Sequence, residues 1–148
     1  MAFRFALTPL LRLRKSLERQ RALELQRASL NLARAEDTLA ELERFLEESA
    51  YSDSRSLAAG RVAAELHFAS VLREQLERSR VQLQDGIRAL DRVRRQAAIA
   101  YQHALNAREA LETLRDQQRR IYEREQARRE QQEVDTAYLV QRWYRQKG

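Results

Sequence analysis

His67 and His103 are the only imidazoles in the 148 residues, and there is no cysteine. They stand 36 positions apart, with no flanking pattern of ligands, so each is expected on a helix flank rather than on a metal. The three glycines are isolated, so no phosphate-cradling loop is present. The carboxylates sit three or four residues from arginines, as in Glu74–Arg78 and Glu77–Arg80. Such spacing gives helix-face ion pairs worth a few tenths of a kcal/mol rather than a general acid or base. No catalytic constellation, cofactor or metal is expected, and the chain reads as a non-enzyme. What remains are surfaces. Arg92, Arg94 and Arg95 form one basic cluster, and Arg119, Arg120, Arg124, Arg128 and Arg129 form another. Either could hold phosphate or an acidic protein, or simply be a solvated helix face. Acids such as Glu123, Glu125 and Glu130 interrupt the second cluster and argue against a nucleic-acid track.

Composition decides which elements present those surfaces. Ala, Glu, Lys, Leu and Arg make up 88 of 148 residues, the signature of a long helix or coiled coil. With 3 Gly and 1 Pro there are too few turn residues for a β-sandwich or a multi-loop enzyme. The uncharged runs are far too short for a membrane span. The expectation is an all-α, elongated antiparallel two-helix coiled-coil hairpin, forming one domain. Its charge is uneven: residues 1–34 carry +6, residues 35–91 carry −5 and residues 92–148 carry +5. A chain that folds back would have one basic and one acidic end, which bears on partners and steering. The Arg-rich opening has the composition of a transit peptide, but its helical periodicity runs on past residue 30 and favours a part of the helix.

Thr8-Pro9 predicts a helix start, with Thr8 as N-cap and Pro9 in the first turn. Leu10, Leu13 and Leu17 follow at helical spacing. Leu25, Ala28, Leu32, Ala35, Leu39, Leu42 and Leu46 then step by three and four, an a/d seam. Passing from Leu17 to Leu25 through Arg21 shifts that register, as a stutter does. The first helix is expected over about 8–48. The segment SAYSDSRS at 49–56 breaks the pattern, and Gly60 extends it, so a hairpin loop is placed at about 49–61. The second helix is expected over about 62–140. In it Leu76, Leu83, Leu90, Ala97, Ala104 and Leu111 recur every seven residues, with Arg80, Ile87, Arg94, Tyr101 and Arg108 on the other edge of the seam. That core is thin, with arginine stems covering apolar surface. Gly86 marks either a bend or a tolerated surface glycine. If the helices pair from the loop, the last 30–40 residues outrun the first helix. Phe45, Tyr51, Phe68 and Leu72 gather near the bend, where a two-helix coil has least room for aromatics; they either meet a partner or pack on the loop.

Two end motifs carry a family resemblance. The opening Phe5-x-Leu7-x-x-Leu10-Leu11-x-x-Arg14 resembles the N-terminus of FliJ, the flagellar type III export coiled-coil family. Leu111-Glu112-x-Leu114, Tyr122-Glu123 and Arg129-Glu130-Gln131-Gln132-Glu133-Val134-Asp135 resemble the family's C-terminal helix, with its Glu-Gln-Lys/Gln-x-x-Asp core. Thr136-Ala137-Tyr138 departs from it, since the family usually continues with an acidic residue.

The resemblance implies a cytoplasmic antiparallel coiled coil, peripheral to the inner-membrane export apparatus and similar in build to the central stalk of rotary ATPases. It implies as partners the hexameric export ATPase FliI, the export-gate protein FlhA and export chaperones, with no small-molecule substrate. Carried over residue by residue, the gate-contacting surface beside the bend falls on Thr38, Leu42, Phe45 and Ser49, and on Phe68, Leu72, Gln75 and Ser79. Ser49 replaces an aromatic and Ser79 a larger polar residue, and Leu42 also lies on the seam. The basic end, with Arg119, Arg120, Arg124, Arg128 and Arg129, is the expected ATPase contact. The alternatives are a structural or nucleic-acid-binding coiled coil, and the equivalent stalk of a virulence-type injectisome.

Overall fold

A computed structural model describes residues 2–60 and 62–148. Two helices account for nearly all of them: α1, Thr8–Ala58, of 51 residues, and α2, Ala63–Lys147, of 85. No strand occurs among the described residues. The fold is the expected all-α pair of long antiparallel helices. Cross-helix contacts give the direction: Lys15 meets Glu112 and Glu18 meets Arg108, while Glu43 meets Arg80 and Asp53 meets Arg73. As one number rises its partner falls.

α1 starts where Pro9 predicts, but the capping differs in detail. The carbonyl of Leu7 accepts the first helical bond, from Leu11 N at 2.9 Å. The Thr8 hydroxyl does not cap; it donates backwards to the Phe5 carbonyl at 2.6 Å. Pro9 still falls in the first turn, where its missing N–H costs nothing.

The break expected at 49–61 is shorter than the sequence suggests. α1 runs on through SAYSDSRS to Ala58. The serines do not compete with the helix here. Ser54 Oγ donates to the Ala50 carbonyl at 3.0 Å and Ser56 Oγ to the Ser52 carbonyl at 2.9 Å. Back-bonding of this kind lets a hydroxyl sit inside a helix. The helix ends as Gly60 takes φ +82°, the left-handed conformation that ends helices and strains any other L-residue. Arg61, the last residue of the expected loop, lies outside the described residues. The carbonyl of Val62 opens α2 by accepting from Glu65 N and Leu66 N. α2 continues to Lys147, seven residues past the expected end, and passes through Gly86 without interruption. Open space surrounds Gly86 where a Cβ would stand, so it is a tolerated surface glycine.

The chain divides into two compact units, residues 19–102 and residues 1–18 with 103–148. In the unit of residues 19–102, α1 buries Ala28, Leu32 and Leu46. Leu25, Ala35, Leu39 and Leu42 are half-buried beside them, so the predicted seam is the observed one. Across from it Leu76, Leu83, Leu90 and Ala97 are half-buried, as are Arg80, Ile87, Arg94 and Tyr101. In the other unit the buried residues are Phe5 and Leu11. Leu10 and Leu13, expected on the seam, are exposed, and Leu13 is 54% exposed. The heptad steps from Leu11 through Arg14 and Glu18 to Arg21 and Leu25 without a shift. The apparent stutter arises from following Leu10 and Leu13, which lie outside the seam, past polar residues that lie in it.

Candidate functional site

Four features of the two units could do something: a cleft beside the turn, seam arginines, a free basic stripe, and two exposed histidines.

The cleft lies in the unit of residues 19–102. It has a volume of about 510 Å³ and is open to solvent. Ser49, Ser52 and Asp53 of α1 line one wall, and Ala64, Glu65, Phe68, Ala69 and Leu72 of α2 line the other. Helical geometry explains the walls. Residues four and seven apart share a face, so Phe45, Ser49 and Ser52 form one stripe and Phe68, Leu72 and Gln75 another. The first stripe extends back through Leu42 to Thr38. Phe45 is 50% exposed and Phe68 70%, and Tyr51 is exposed too, so these aromatics do not pack on the turn. Leu72 is exposed at the cleft wall, and Thr38 and Gln75 are exposed further along. Leu42 is half-buried on the seam, so it supports the stripe from beneath.

The structure therefore brings Ser49, Phe68 and Leu72 to one cleft. It leaves Thr38, Leu42, Phe45 and Gln75 along the flanking stripes. Ser52, Asp53, Ala64, Glu65 and Ala69 line the cleft without having been singled out in the sequence. They lie one turn along the same stripes, and extending each stripe by three or four residues would have found them. An ion pair from Asp53 to Arg73 ties the two walls together. Arg80 Nε lies 3.4 Å from Glu43 and Arg80 Nη1 3.3 Å from Glu77, a second tie further from the turn.

The cluster at Arg92, Arg94 and Arg95 is not a free anion site. Asp91 takes Arg94 at 2.9 Å and Arg95 at 2.8 Å. The hydrogen bond from Arg94, with the charge of Arg95 beside it, holds the Asp91 carboxyl below its ordinary range. Two of the three cations are thus spent within the helix.

In the unit of residues 1–18 and 103–148, Arg108 holds a seam position. It meets Glu18 of α1 at 2.5 Å and Glu112 one turn on at 2.6 Å. The hydrogen bond to Glu18 pushes the guanidinium's affinity for its proton further up. Lys15 adds a contact to Glu112 at 3.4 Å. Beyond this network the Phe3 ring packs on Tyr122, with centroids 5.7 Å apart.

On either side of Tyr122 runs the basic stripe. Arg119 pairs with Glu123 at 3.4 Å. Among the described residues, Arg120, Arg124, Arg128 and Arg129 have no acidic partner and are exposed. Arg120, Arg124 and Arg128 are spaced by four along one face. This stripe is the one set of uncommitted cations that the sequence had singled out.

His67 and His103 are both exposed. Among the described residues no group of three or more metal-ligating side chains gathers. Also among them, no helix is long and apolar enough to cross a membrane.

The comparisons with curated proteins and with solved structures return no match. The model for the flagellar FliJ protein family matches residues 3–148, nearly the whole chain. With its paired long helices and heptad seam, the chain belongs to the flagellar FliJ family, coiled-coil proteins related to flagellar type III export.

Proposed function

We propose that the chain works as a non-enzymatic, stalk-like coiled coil of the export apparatus, on the cytoplasmic side of the inner membrane. In this reading the basic stripe binds the hexameric export ATPase FliI and raises its activity. The aromatic cleft beside the turn contacts the export-gate protein FlhA, and export chaperones are escorted by the same rod. A coiled coil needs no catalytic residue for this role. It acts by making different contacts with different subunits of a ring and so shifting their conformational populations.

The observation that carries the proposal is the exposure of Phe45 and Phe68 on stripes flanking one cleft. Large aromatics held in water on a helical scaffold cost nothing to fold around, and they become anchors when a partner covers them. The uncommitted Arg120, Arg124 and Arg128 support the second contact, because a cation without an internal partner keeps its full attraction for an acidic surface.

The test separates the two contacts. ATP turnover by the partner ATPase is titrated with this protein at moderate salt, and binding to the purified cytoplasmic part of the gate is measured in parallel. Stimulation saturating near one chain per hexamer is expected. Phe45→Ala and Phe68→Ala should each weaken gate binding by about tenfold or more, in line with an aromatic anchor, and leave stimulation and helicity unchanged. Arg120→Glu with Arg124→Glu should weaken stimulation at low salt and do little to gate binding. Loss of both activities from a single aromatic change, or no effect of charge reversal at low salt, overturns the division of labour.

A further inference from the structure

The face of α2 that packs against residues 3–18 does not stop where its partner does. Steps of three and four carry it from Leu111 through Arg115, Gln118 and Tyr122, which meets Phe3, and on through Glu125 to Arg129, Gln132, Thr136, Leu139 and Trp143. Every residue from 127 to 148 is exposed. The continued face becomes apolar again at its far end: Leu139 is 62% exposed, Val140 48% and Trp143 50%. Its near part forms a shallow groove lined by Arg129, Gln132, Glu133, Thr136 and Ala137. Three heptads of seam are thus uncovered, in direct continuity with a seam that is covered.

The charges along its edge say what covers it. Asp135 and Arg142 lie seven residues apart on one flank. Asp135 accepts a hydrogen bond from Gln131 at 2.9 Å, and neither Asp135 nor Arg142 has an ion-pair partner among the described residues. We infer that this segment pairs with the same segment of a second copy of the chain, antiparallel, about a two-fold axis between residues 137 and 138. In that register Thr136 faces Leu139 of the second copy and Gln132 faces its Trp143. On the flank, where side chains pair two residues out of step with the seam layers, Asp135 reaches Arg142 of the second copy, and by symmetry the pair forms twice. A parallel arrangement sets Asp135 against Val140 and Arg142 against Lys147, which wastes one charge and opposes two. The antiparallel one pairs Asp135 with Arg142, opposes no like charges there, and puts the apolar end of each helix over the polar middle of the other. The inference stands apart from the export reading: it concerns this chain alone.

The single tryptophan of the chain, Trp143, lies in the seam and reports on it. In the single chain the Lys147 ammonium sits 3.9 Å from the centre of its indole ring, at the surface. Sedimentation equilibrium and Trp143 emission are followed on the full chain across a concentration series. The expected result is a mass rising from 17.5 kDa towards twice that value, with emission moving to shorter wavelength in step. Asp135→Arg and Arg142→Asp each place two like-charge pairs in the interface and should weaken association by about tenfold or more. The double variant, Asp135→Arg with Arg142→Asp, swaps the charges and should restore it.

A constant mass with unshifted emission overturns the inference. So does association that either single variant leaves unchanged, or that the swap fails to restore. Emission that shifts only when the export ATPase is added also overturns it, and assigns the face to that partner.

Discussion

Residues 19–102 hold their helices together with Ala28, Leu32 and Leu46, all buried, and with half-buried leucines facing them. In the unit of residues 1–18 and 103–148, Phe5 and Leu11 are the buried residues, and the next two seam positions are Arg14 and Glu18. There the aliphatic contact is replaced by the contact of Glu18 with Arg108, backed by Glu112 and Lys15. The two kinds of seam answer different needs. Burial of leucine is non-directional and strong, and any neighbouring apolar register satisfies it nearly as well. A charge pair is weaker in water but tolerates few registers, so it fixes which turn of one helix faces which turn of the other. The comparison predicts opposite sensitivities in the two units, and each substitution below tests one side of it.

The largest effect should come from the aliphatic side. Leu32→Ala removes a buried leucine from a thin seam that has few neighbours able to close the gap. A loss of about 2–4 kcal/mol in unfolding free energy is expected, read by denaturant titration with circular dichroism. That loss should be nearly the same at low and high salt, because no charge is involved. A loss well under 1 kcal/mol would mean that the seam is not what holds this unit together.

Glu18→Gln tests the other side. It keeps the side chain's shape and removes one of the three carboxylates around Arg108. The melting temperature should fall by less than in Leu32→Ala, and the difference from the parent protein should shrink as salt is added. A deficit independent of salt would make Glu18 a packing residue and remove the contrast between the units. Hydrogen exchange gives the local reading: protection should fall in residues 103–118 while residues 25–46 stay protected.

How much of this was legible in the sequence depended on which residues carried the pattern. The seam from Leu25 to Leu46 was plain, because leucine and alanine mark every step of three and four. The seam before it is hidden, because Leu10 and Leu13 are conspicuous while the positions that matter are Leu11, Arg14 and Glu18. Hydrophobic periodicity cannot register a seam residue that is charged. From sequence the turn reads too early because Ser and Asp favour loops on average. Whether a serine breaks a helix or donates to the carbonyl four residues back is decided by the surrounding backbone, and Ser54 and Ser56 do the second. At the site, the place of Phe45 and Phe68 beside the bend left exposure and packing on the loop equally open, and the structure exposes both. Which arginines were free did not follow from a count of positive charge. Asp91 lies three and four residues before Arg94 and Arg95, and that spacing was the signal that those two cations were taken.

Gly86→Ala sharpens the comparison by isolating helix propensity from packing. Nothing lies within 4 Å of the position where the new Cβ would stand. The substitution should stabilise by about 0.5–1 kcal/mol at any salt concentration, through lost freedom in the unfolded chain. A loss instead would show that α2 bends at this residue in solution.

The smallest effect belongs to Asp91, and it separates charge as such from charge that bridges helices. Both partners of Asp91, Arg94 and Arg95, lie on its own helix, so Asp91→Asn should cost less than Glu18→Gln at neutral pH. Its pH dependence has a definite sign. The folded-state carboxyl is held below its ordinary pKa, first by the hydrogen bond from Arg94 and then by the charge of Arg95. The folded protein therefore keeps this carboxylate ionised where the unfolded chain would begin to protonate it. The stabilisation is fully present above the unfolded value and is lost as pH falls through the folded one. Melting curves of the parent and of Asp91→Asn should stay a constant distance apart from pH 7 down to about pH 5, then converge below about pH 4. Curves that diverge with acid would mean that Arg94, half-buried on the seam, has found another carboxylate to replace Asp91. The bridging that Arg80 makes to Glu43 would then have a further instance in the unit where leucine dominates.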